Sequence, residues 1–199
     1  MEEMKTMNIE KSYPDGRFKH TLVLTFGVLL IYGICFVPTS FGADAEVIDA
    51  KANVALKRFH SQVKGAKEFA ANAKGLLIMP GVVKAAFIIG GEYGEGALRI
   101  NGTTADYYNI VSGSFGFQIG AEAKDIVIVF MTREALQGFR ASRGWEAGLD
   151  GNIALITVGA GERVDTRTTK DPIVGFVFDV KGLMADISLK GAKFTKLDK

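Results

Sequence analysis

Side chains that carry enzyme chemistry or bind transition metals are scarce in this chain. Its 199 residues include one cysteine, Cys35, and two histidines, His20 and His60. Cys35 and His20 lie in an N-terminal segment that we expect to be removed, and we expect His60 to be a solvated residue on a helix. A cysteine nucleophile, a disulfide and a cysteine- or histidine-based metal centre are therefore excluded from the mature chain. We expect no enzyme activity, no metal and no cofactor.

Carboxylate catalysis and nucleotide binding also lack support in the sequence. Glu92 and Glu95 are close together, but Glu92-Tyr93-Gly94-Glu95 has the composition of a hairpin tip rather than of a catalytic pair. The glycine-rich residues 90–96 lack the Gly-Lys-Ser/Thr ending of a phosphate-binding loop, and no helical pattern follows them. These observations leave binding, rather than catalysis, as the class of function.

Basic residues are in small excess over acidic residues. The full chain has a formal net charge of +2, and residues 46–199 contain 20 basic and 17 acidic side chains, which is a net charge of +3. A dedicated nucleic-acid-binding domain usually has a much stronger basic excess. We therefore expect no nucleic-acid partner.

Long hydrophobic runs are rare, and the longest lies near the N-terminus. Residues 21–37 carry no charge; Lys11, Arg17 and Lys19 precede them, and Ala43-Asp44-Ala45 follows. A basic segment, an apolar run and an A-x-A site are the parts of a secretory signal peptide. The sequence therefore predicts an exported protein of the periplasm or cell envelope, with a signal peptide at residues 1–45.

Two other interpretations of this segment stay open. Residues 21–37 are almost long enough to span a membrane, so an uncleaved anchor is one alternative. A lipoprotein signal at Cys35 is the other, although Tyr32-Gly33-Ile34 before it does not fit well. If the signal is cleaved, small neighbouring residues also allow the cut after Gly42 or Ala43.

Residues 46–73 have the periodicity of a helix. Their apolar positions recur at steps of three, four and seven, which places them on one helix face. We predict helices at residues 46–61 and 64–73, with Gly75 ending the second. The apolar positions are Ile48, Ala52, Ala55, Leu56, Phe59, Val63, Ala66, Ala70 and Ala73.

Residues 75–199 are mostly β-like. Short β-branched or aromatic segments alternate with glycines, and Pro80-Gly81 is a turn signal. Thr132 can cap a short helix, and residues 138–151 indicate a loop or broken helix. The predicted fold class is α+β: an antiparallel, glycine-rich sheet or partly closed barrel covered by N-terminal amphipathic helices. The predicted strands are residues 76–79, 85–89, 96–100, 107–112, 114–121, 125–131, 153–158, 173–179 and 184–189.

The two glycine-rich segments, residues 88–98 and 111–121, are similar to each other. Either they are an ancient repeat, or the glycines stand where two backbones or an aromatic ring approach closely. We favour the second explanation, in which the glycines permit close approach.

The predicted helices are unusually basic. Between residues 51 and 74 there are six basic residues and a single acid, Glu68, together with Phe59 and Phe69. Such a segment can lie on an anionic membrane, where each basic residue contributes about 1 kcal/mol. Alternatively, the helices cover the sheet and their lysines are simply solvated. The basic residues are Lys51, Lys57, Arg58, Lys64, Lys67 and Lys74; a second basic strip, Lys190, Lys193, Lys196 and Lys199, indicates a soluble tail.

Three blocks of the chain resemble the SYLF domain family. Residues 74–96 resemble its opening signature, with A-K-G, an apolar strand, P-x-V-x-K-x-G-F and G-x-x-x-G-x-G. Residues 113–122 resemble its G-S-x-G-x-Q-x-G block, and residues 181–194 resemble its K-G-L-x-A-x-x-S-x-x-G ending. Together the blocks cover nearly all of residues 46–199.

The resemblance implies phospholipid binding. Lys84 matches the lysine of the family's first block, and we expect it to act with the basic helices. Ala86 and Asp186 depart from the glycine or small residue usual in the family, and Tyr107-Tyr108 stands where many eukaryotic members have tryptophan and proline. Actin binding, known for some eukaryotic members, is therefore not expected. The candidate lipid-binding residues are Lys57, Arg58, Lys64, Lys67, Lys74 and Lys84.

The leading functional prediction is non-enzymatic binding of anionic phospholipid or of a membrane surface in the cell envelope. The alternative is a structural or interaction protein whose glycine-rich β surface binds another envelope protein. In that case the lysines confer solubility alone.

Overall fold

The computed structural model describes residues 43–158, 170–182 and 188–199, and for residues 86–89 and 114–120 it describes the backbone alone. Nearly all of the predicted signal peptide, and most of the strand predicted at residues 184–189, lie outside this part. Within it are three helices and six strands. The helices are α1 (Ala45–Gln62), α2 (Ala66–Asn72) and α3 (Arg133–Ala141). The strands are β1 (Gly75–Ile100), β2 (Thr103–Phe130), β3 (Gly144–Glu146), β4 (Ala154–Thr157), β5 (Ile173–Lys181) and β6 (Lys193–Leu197).

Helices α1 and α2 form where the apolar periodicity predicted them. In α1 the buried residues Ile48, Ala52, Ala55 and Phe59 are spaced by four, three and four, so they lie on the single face that packs on the sheet. Gly65 separates the two helices because its φ of +82° is a left-handed conformation that glycine adopts readily. Within the described ranges, none of the helices is long and apolar enough for a membrane crossing.

The prediction of many short strands is wrong for residues 75–130. They form two long strands, β1 and β2, which pair as one antiparallel hairpin. Pro80-Gly81 does not turn the chain, because the β1 register shifts between Met79 and Val82. A bulge of this kind accommodates a proline, which has no N–H to donate to the ladder.

The predicted hairpin tip at Glu92-Tyr93-Gly94-Glu95 is also wrong. These residues lie inside β1, where Glu92 pairs with Ser112 and Glu95 with Asn109. The turn is at Asn101-Gly102, whose φ angles of 52° and 80° are both positive. An Asn-Gly pair with two positive φ angles is typical of the two-residue turn that matches strand twist.

The sheet is mostly antiparallel and curls into a half-barrel. Its strand order is β3-β6-β2-β5-β4, with β1 also on β2, and only β4 and β5 run parallel among the described strands. The curl brings the two ends of β1 together: a Cβ on Gly96 would lie 2.1 Å from the Ile78 carbonyl oxygen. A Cβ on Gly94 would lie 2.7 Å from Val82 Cγ2. This confirms the predicted α+β class, and it confirms that these two glycines permit close approach.

Two apolar clusters cover the two faces of the sheet. The outer cluster lies under the helices, where Phe59 and Phe69 make edge contacts with Phe176 of β5. The inner cluster lies in the concave face, where Phe139 of α3 packs between Tyr108 and Trp145. Helix α3 begins at the predicted cap, since Thr132 Oγ1 accepts a hydrogen bond from the Ala135 N–H at 3.2 Å.

The predicted soluble tail at the C-terminus is instead part of the sheet. Strand β6 lies between β3 and β2, and Phe194 is fully buried in the inner cluster. Lys196 forms an ion pair with Asp106 of β2. The segment predicted as a loop or broken helix at residues 138–151 contains the end of α3 and strand β3.

Candidate functional site

A groove of about 380 Å³ runs between α1 and the bulge in β1. Its floor and walls are mostly aliphatic, with two cationic side chains at the rim. The described lining residues are Ala50, Lys51, Val54, Arg58, Pro80 and Gly81. An aliphatic groove beside cations can hold both parts of an amphiphile, the chain in the groove and the anionic group at the rim.

One flank of α1 supplies the helical wall of this groove. Val47, Lys51, Val54 and Arg58 follow one another at steps of four, three and four, so they form a single stripe along the helix. We call these four residues the α1 stripe. The side chains of Val47 and Val54 are 43% and 50% exposed although they are apolar, and Lys51 lies exposed between them.

Arg58, one of the predicted lipid-binding residues, is half-buried and paired with carboxylates of the sheet. Its Nη2 and Nε lie 2.6 and 2.8 Å from Asp125 Oδ2, and its Nε lies 3.2 Å from Asp179 Oδ2. Asp125 is 2% exposed and also accepts the Gly81 N–H at 2.8 Å. The guanidinium therefore fastens α1 to the β1 bulge, and two carboxylates neutralise its charge.

Four of the other predicted cations are exposed on or beside the helical layer. Lys57 lies on the side of α1 away from the sheet, since it is two residues from both Ala55 and Phe59. Lys64 lies in the turn before α2 and Lys67 lies on α2, while Lys74 immediately precedes β1. Among the described residues, none of these four lysines has a carboxylate within 4 Å; the ion pairs found there are made by other basic side chains.

Lys84 does not join this group. It follows Val82 by two residues on β1, and it lies opposite Glu122 in the β1–β2 ladder. Val82 is part of the inner cluster, and Glu122 contacts the buried Lys124, so both belong to the concave face. Side chains alternate between the two faces of a strand, so Lys84 points away from α1 and α2. The structure therefore places Lys57, Lys64 and Lys67 in one layer and Lys84 on the opposite side of the sheet.

A buried ion cluster on the concave face is absent from the sequence prediction. Lys124 Nζ lies 2.9 Å from Glu92 Oε1 and 3.7 Å from Glu122 Oε1, and Ser112 Oγ donates to Glu92 Oε2 at 3.1 Å. All three charged residues are buried. The alternation of charged and small residues around Lys124 is a weak signal for this cluster in the sequence. The sequence gives no sign of Glu92 as the partner of Lys124, because the residues around Glu92 have the composition of a turn.

His60 is not the solvated residue that its basic neighbours suggested. It is half-buried at the C-terminal end of α1, and its Nε2 is out of contact with water and lacks a hydrogen-bond partner among the described residues. Across the described ranges, no three acidic, histidine or cysteine side chains come together as a metal site would require.

The described part of the chain is thus a helix-covered half-barrel with an open aliphatic groove and exposed cations. Residues 111–199 match the family model described as "Ysc84: Las17-binding protein actin regulator". This match confirms the resemblance to the SYLF family for the blocks at residues 113–122 and 181–194.

The chain is also similar to an SH3 domain-containing protein of Schizosaccharomyces pombe. The two are 32% identical over 131 residues, which is 61% of this chain and 30% of the yeast protein. The chain thus spans less than a third of the length of this relative.

Proposed function

We propose that the domain binds anionic phospholipid at a membrane surface of the cell envelope and performs no catalysis. The observation that carries the proposal is the α1 stripe, where the exposed Val47 and Val54 flank Lys51, and Lys51 and Val54 line an aliphatic groove. Apolar side chains of this kind enter the headgroup region of a bilayer, while neighbouring cations pair with lipid phosphates. The blocks that resemble the SYLF family imply the same activity.

The exposed lysines of the helical layer supply the attraction to negative charge. Lys51, Lys57, Lys64, Lys67 and Lys74 are all exposed, and each basic residue near an anionic surface contributes about 1 kcal/mol. Arg58 and Lys84, predicted to act with them, contribute less in this arrangement. Arg58 is neutralised by Asp125 and Asp179, and Lys84 lies on the other face of the sheet.

Sedimentation with vesicles tests the proposal. We expect residues 43–199 to bind vesicles that contain phosphatidylglycerol, to bind less as salt is raised, and to leave neutral phosphatidylcholine vesicles unbound. Replacing Lys57, Lys64 and Lys67 by glutamine should weaken binding at least tenfold. A matched variant with glutamine at Lys84, Lys170 and Lys190 removes the same charge elsewhere and should weaken it far less. Equal binding to neutral vesicles, or equal loss in both variants, contradicts the proposal.

A second vesicle experiment addresses the apolar part of the site. Val54→Asp should reduce binding several-fold without changing the unfolding midpoint, because Val54 is half exposed and the change places a negative charge at the membrane. Leu149→Asp is the control, since Leu149 is more exposed and lies outside the stripe. If Val54→Asp binds as well as Leu149→Asp, the α1 stripe is not the contact surface.

We propose that the protein is exported, on the basis of the basic, apolar and small-residue segments before Ala43. Cell fractionation of a bacterial host that expresses the full chain is the measurement. Recovery in the cytosol alone contradicts export.

A protein-binding role is the second candidate, and two observations favour it. The description of the matching family model names binding to Las17 and regulation of actin. In addition, the β hairpin of this chain exposes three large side chains, Val83, Tyr93 and Val111. This role predicts that the variant with glutamine at Lys57, Lys64 and Lys67 still binds its protein partner in cells. We do not expect actin to be the partner of an exported protein, and co-sedimentation with filamentous actin decides that point.

A further inference from the structure

The first and last residues of the described chain meet at one carboxylate. The Ala43 N–H donates a hydrogen bond to Glu95 Oε2 at 2.9 Å, and Lys199 Nζ lies 3.3 Å from the same oxygen. Lys199 Nζ also donates to the Ala43 carbonyl oxygen. The other oxygen of Glu95 accepts the Tyr93 hydroxyl at 2.7 Å. Glu95 is thus a mostly buried carboxylate that binds the backbone nitrogen of one particular residue.

Residues 43 and 44 also complete helix α1. The Asp44 carbonyl oxygen accepts the N–H groups of Val47 and Ile48, both at 3.0 Å, and the Ala43 side chain packs against the outer apolar cluster. The first N–H groups of a helix have no partner within the helix itself. A chain cut after Ala45 would lose both of these hydrogen bonds and the contact with Glu95.

The sequence before Ala43 meets the requirement of a signal peptidase for small residues. Ser40 and Gly42 occupy the third and first positions before the Gly42–Ala43 bond, and both are small. A cut at this bond leaves every contact of Ala43 and Asp44 in place. The cut after Ala45, which the A-x-A pattern alone suggests, does not.

We propose that a signal peptidase hydrolyses the Gly42–Ala43 bond and that the α-ammonium group so formed binds the carboxylate of Glu95. Water adds across the amide bond, so the new carboxyl group leaves with Gly42 and the new amino group stays on Ala43. The backbone N–H donor at 2.9 Å then becomes a charged donor, and its hydrogen bond to Glu95 becomes charge-assisted. The proposal rests on the export proposed above but is independent of lipid binding.

The groups around Glu95 fit a second cation there. Burial raises the pKa of the Glu95 carboxyl, but the hydrogen bonds from Tyr93 and Ala43 and the Lys199 ammonium outweigh burial, so its pKa lies below the usual value. Burial, together with the neighbouring Glu95, raises the pKa of Tyr93 to about 12, so its hydroxyl stays neutral. Tyr93 and Lys199 are the titratable side chains in contact with Glu95 among the described residues. The Ala43 ammonium and the Lys199 ammonium would both contact Oε2, while Oε1 accepts the Tyr93 hydroxyl.

The cleavage site is tested on the full chain, expressed with its own residues 1–42 in a bacterium that exports proteins. We expect the intact mass and the N-terminal sequence of the exported product to begin at Ala43. A product that begins at Glu46, or a chain that keeps residues 1–42, overturns the proposal. Neither result depends on whether the protein binds vesicles.

The pairing with Glu95 is tested through the pH dependence of unfolding. An amino group that gains a carboxylate partner has a raised folded-state pKa. Its contribution is therefore complete below its unfolded-state value of about 7.7–8.0 and is lost as pH rises through the folded-state value. We expect the thermal midpoint of a chain that begins at Ala43 to fall by an extra 2–4 °C or so between pH 7 and pH 10. The reference is a chain that retains Ser40-Phe41-Gly42.

Glu95→Gln keeps a hydrogen-bond acceptor but removes the charge, so it should abolish this extra fall in the chain that begins at Ala43. If the two chain starts give parallel pH profiles, the ammonium does not bind Glu95. The comparison of chain starts uses the unchanged Glu95, so it decides the proposal even where the Glu95→Gln variant folds poorly.

Discussion

Asp125 shows how a single buried carboxylate organises two elements. It is 2% exposed, yet it accepts hydrogen bonds from the Arg58 guanidinium on α1 and from the Gly81 N–H in the β1 bulge. A buried charge is tolerated only when it is paired and hydrogen-bonded. Asp125 therefore links the position of the helix to the geometry of the bulge, and both of them line the groove.

Removal of the Arg58 charge should cost much more than removal of a neighbouring lysine charge. Arg58→Met leaves Asp125 buried with a single partner nearby, and breaking a buried pair in this way costs about 3–5 kcal/mol. Urea-induced unfolding is the measurement. Lys57→Met is the matched control on the exposed side of α1, where we expect a change within about 0.5 kcal/mol. Similar losses for the two variants would show that the Arg58–Asp125 pair does not hold the helix.

Some of these residue roles could be predicted from the sequence, and others could not. Thr132 was identified as a helix cap because its partner is three residues away, and the close approach at Gly94 and Gly96 was expected from the glycine spacing. The Arg58–Asp125 pair was not expected, because its members are 67 residues apart. Only the register of the sheet brings them together.

Strand β6 depends on charge pairing along one side of the sheet. Asp106 of β2 contacts Lys196 of β6 and Arg140 of α3. Burial raises the pKa of Asp106, but its hydrogen bonds to Lys196 and Arg140 and their positive charges outweigh burial, so its pKa lies below the usual value. The carboxylate therefore fastens both the last strand and the third helix to β2.

The stability that Asp106 contributes should vanish in acid. Because its folded-state pKa is lowered, its contribution is complete above the unfolded-state value of about 3.9 and is lost as pH falls through the folded-state value. We expect Asp106→Asn to be less stable than the unchanged chain at pH 7, and the difference to shrink steadily below about pH 4. Denaturant unfolding at several pH values measures this. A difference that stays constant into acid would mean that the charge of Asp106 contributes nothing.

At the scale of elements, the helices were predictable and the strand boundaries were not. The apolar periodicity of α1 and α2 is local, so all four of their limits lie within two residues of those expected. The β1 strand contains a proline and several glycines, which in isolation indicate turns; a bulge and the curl of the sheet accommodate them. The lysines of β6 indicate a soluble tail, and they conceal the one fully buried residue of the strand, Phe194.

The two apolar clusters allow the orientation on a membrane to be measured. Trp145, the single tryptophan of the chain, is 3% exposed in the inner cluster, on the face of the sheet away from α1 and α2. We expect vesicles of anionic lipid with brominated acyl chains to leave its fluorescence nearly unchanged. A tryptophan introduced by Val54→Trp, with Trp145→Phe to remove the native signal, should be quenched strongly. Quenching of Trp145 but not of the introduced residue would reverse the proposed orientation.

The general architecture of the molecule could be inferred from the sequence, but its topology could not. A basic helical segment before a glycine-rich β region already indicates an α+β domain with helices on a sheet. The placement of β6 between β3 and β2 has no local signal, because it depends on contacts with Tyr107–Val111, over 80 residues earlier. The position of Lys84 behind the sheet follows from the same global register.

The meeting of Ala43 and Lys199 at Glu95 has a consequence for protein architecture. A segment whose two ends lie side by side, as those of residues 43–199 do, can be inserted into a surface loop of another protein with almost no linker, since the host chain continues from nearly the same point. Joining the two ends and opening the exposed segment around Leu149 should likewise yield a circular permutant that folds to the same half-barrel.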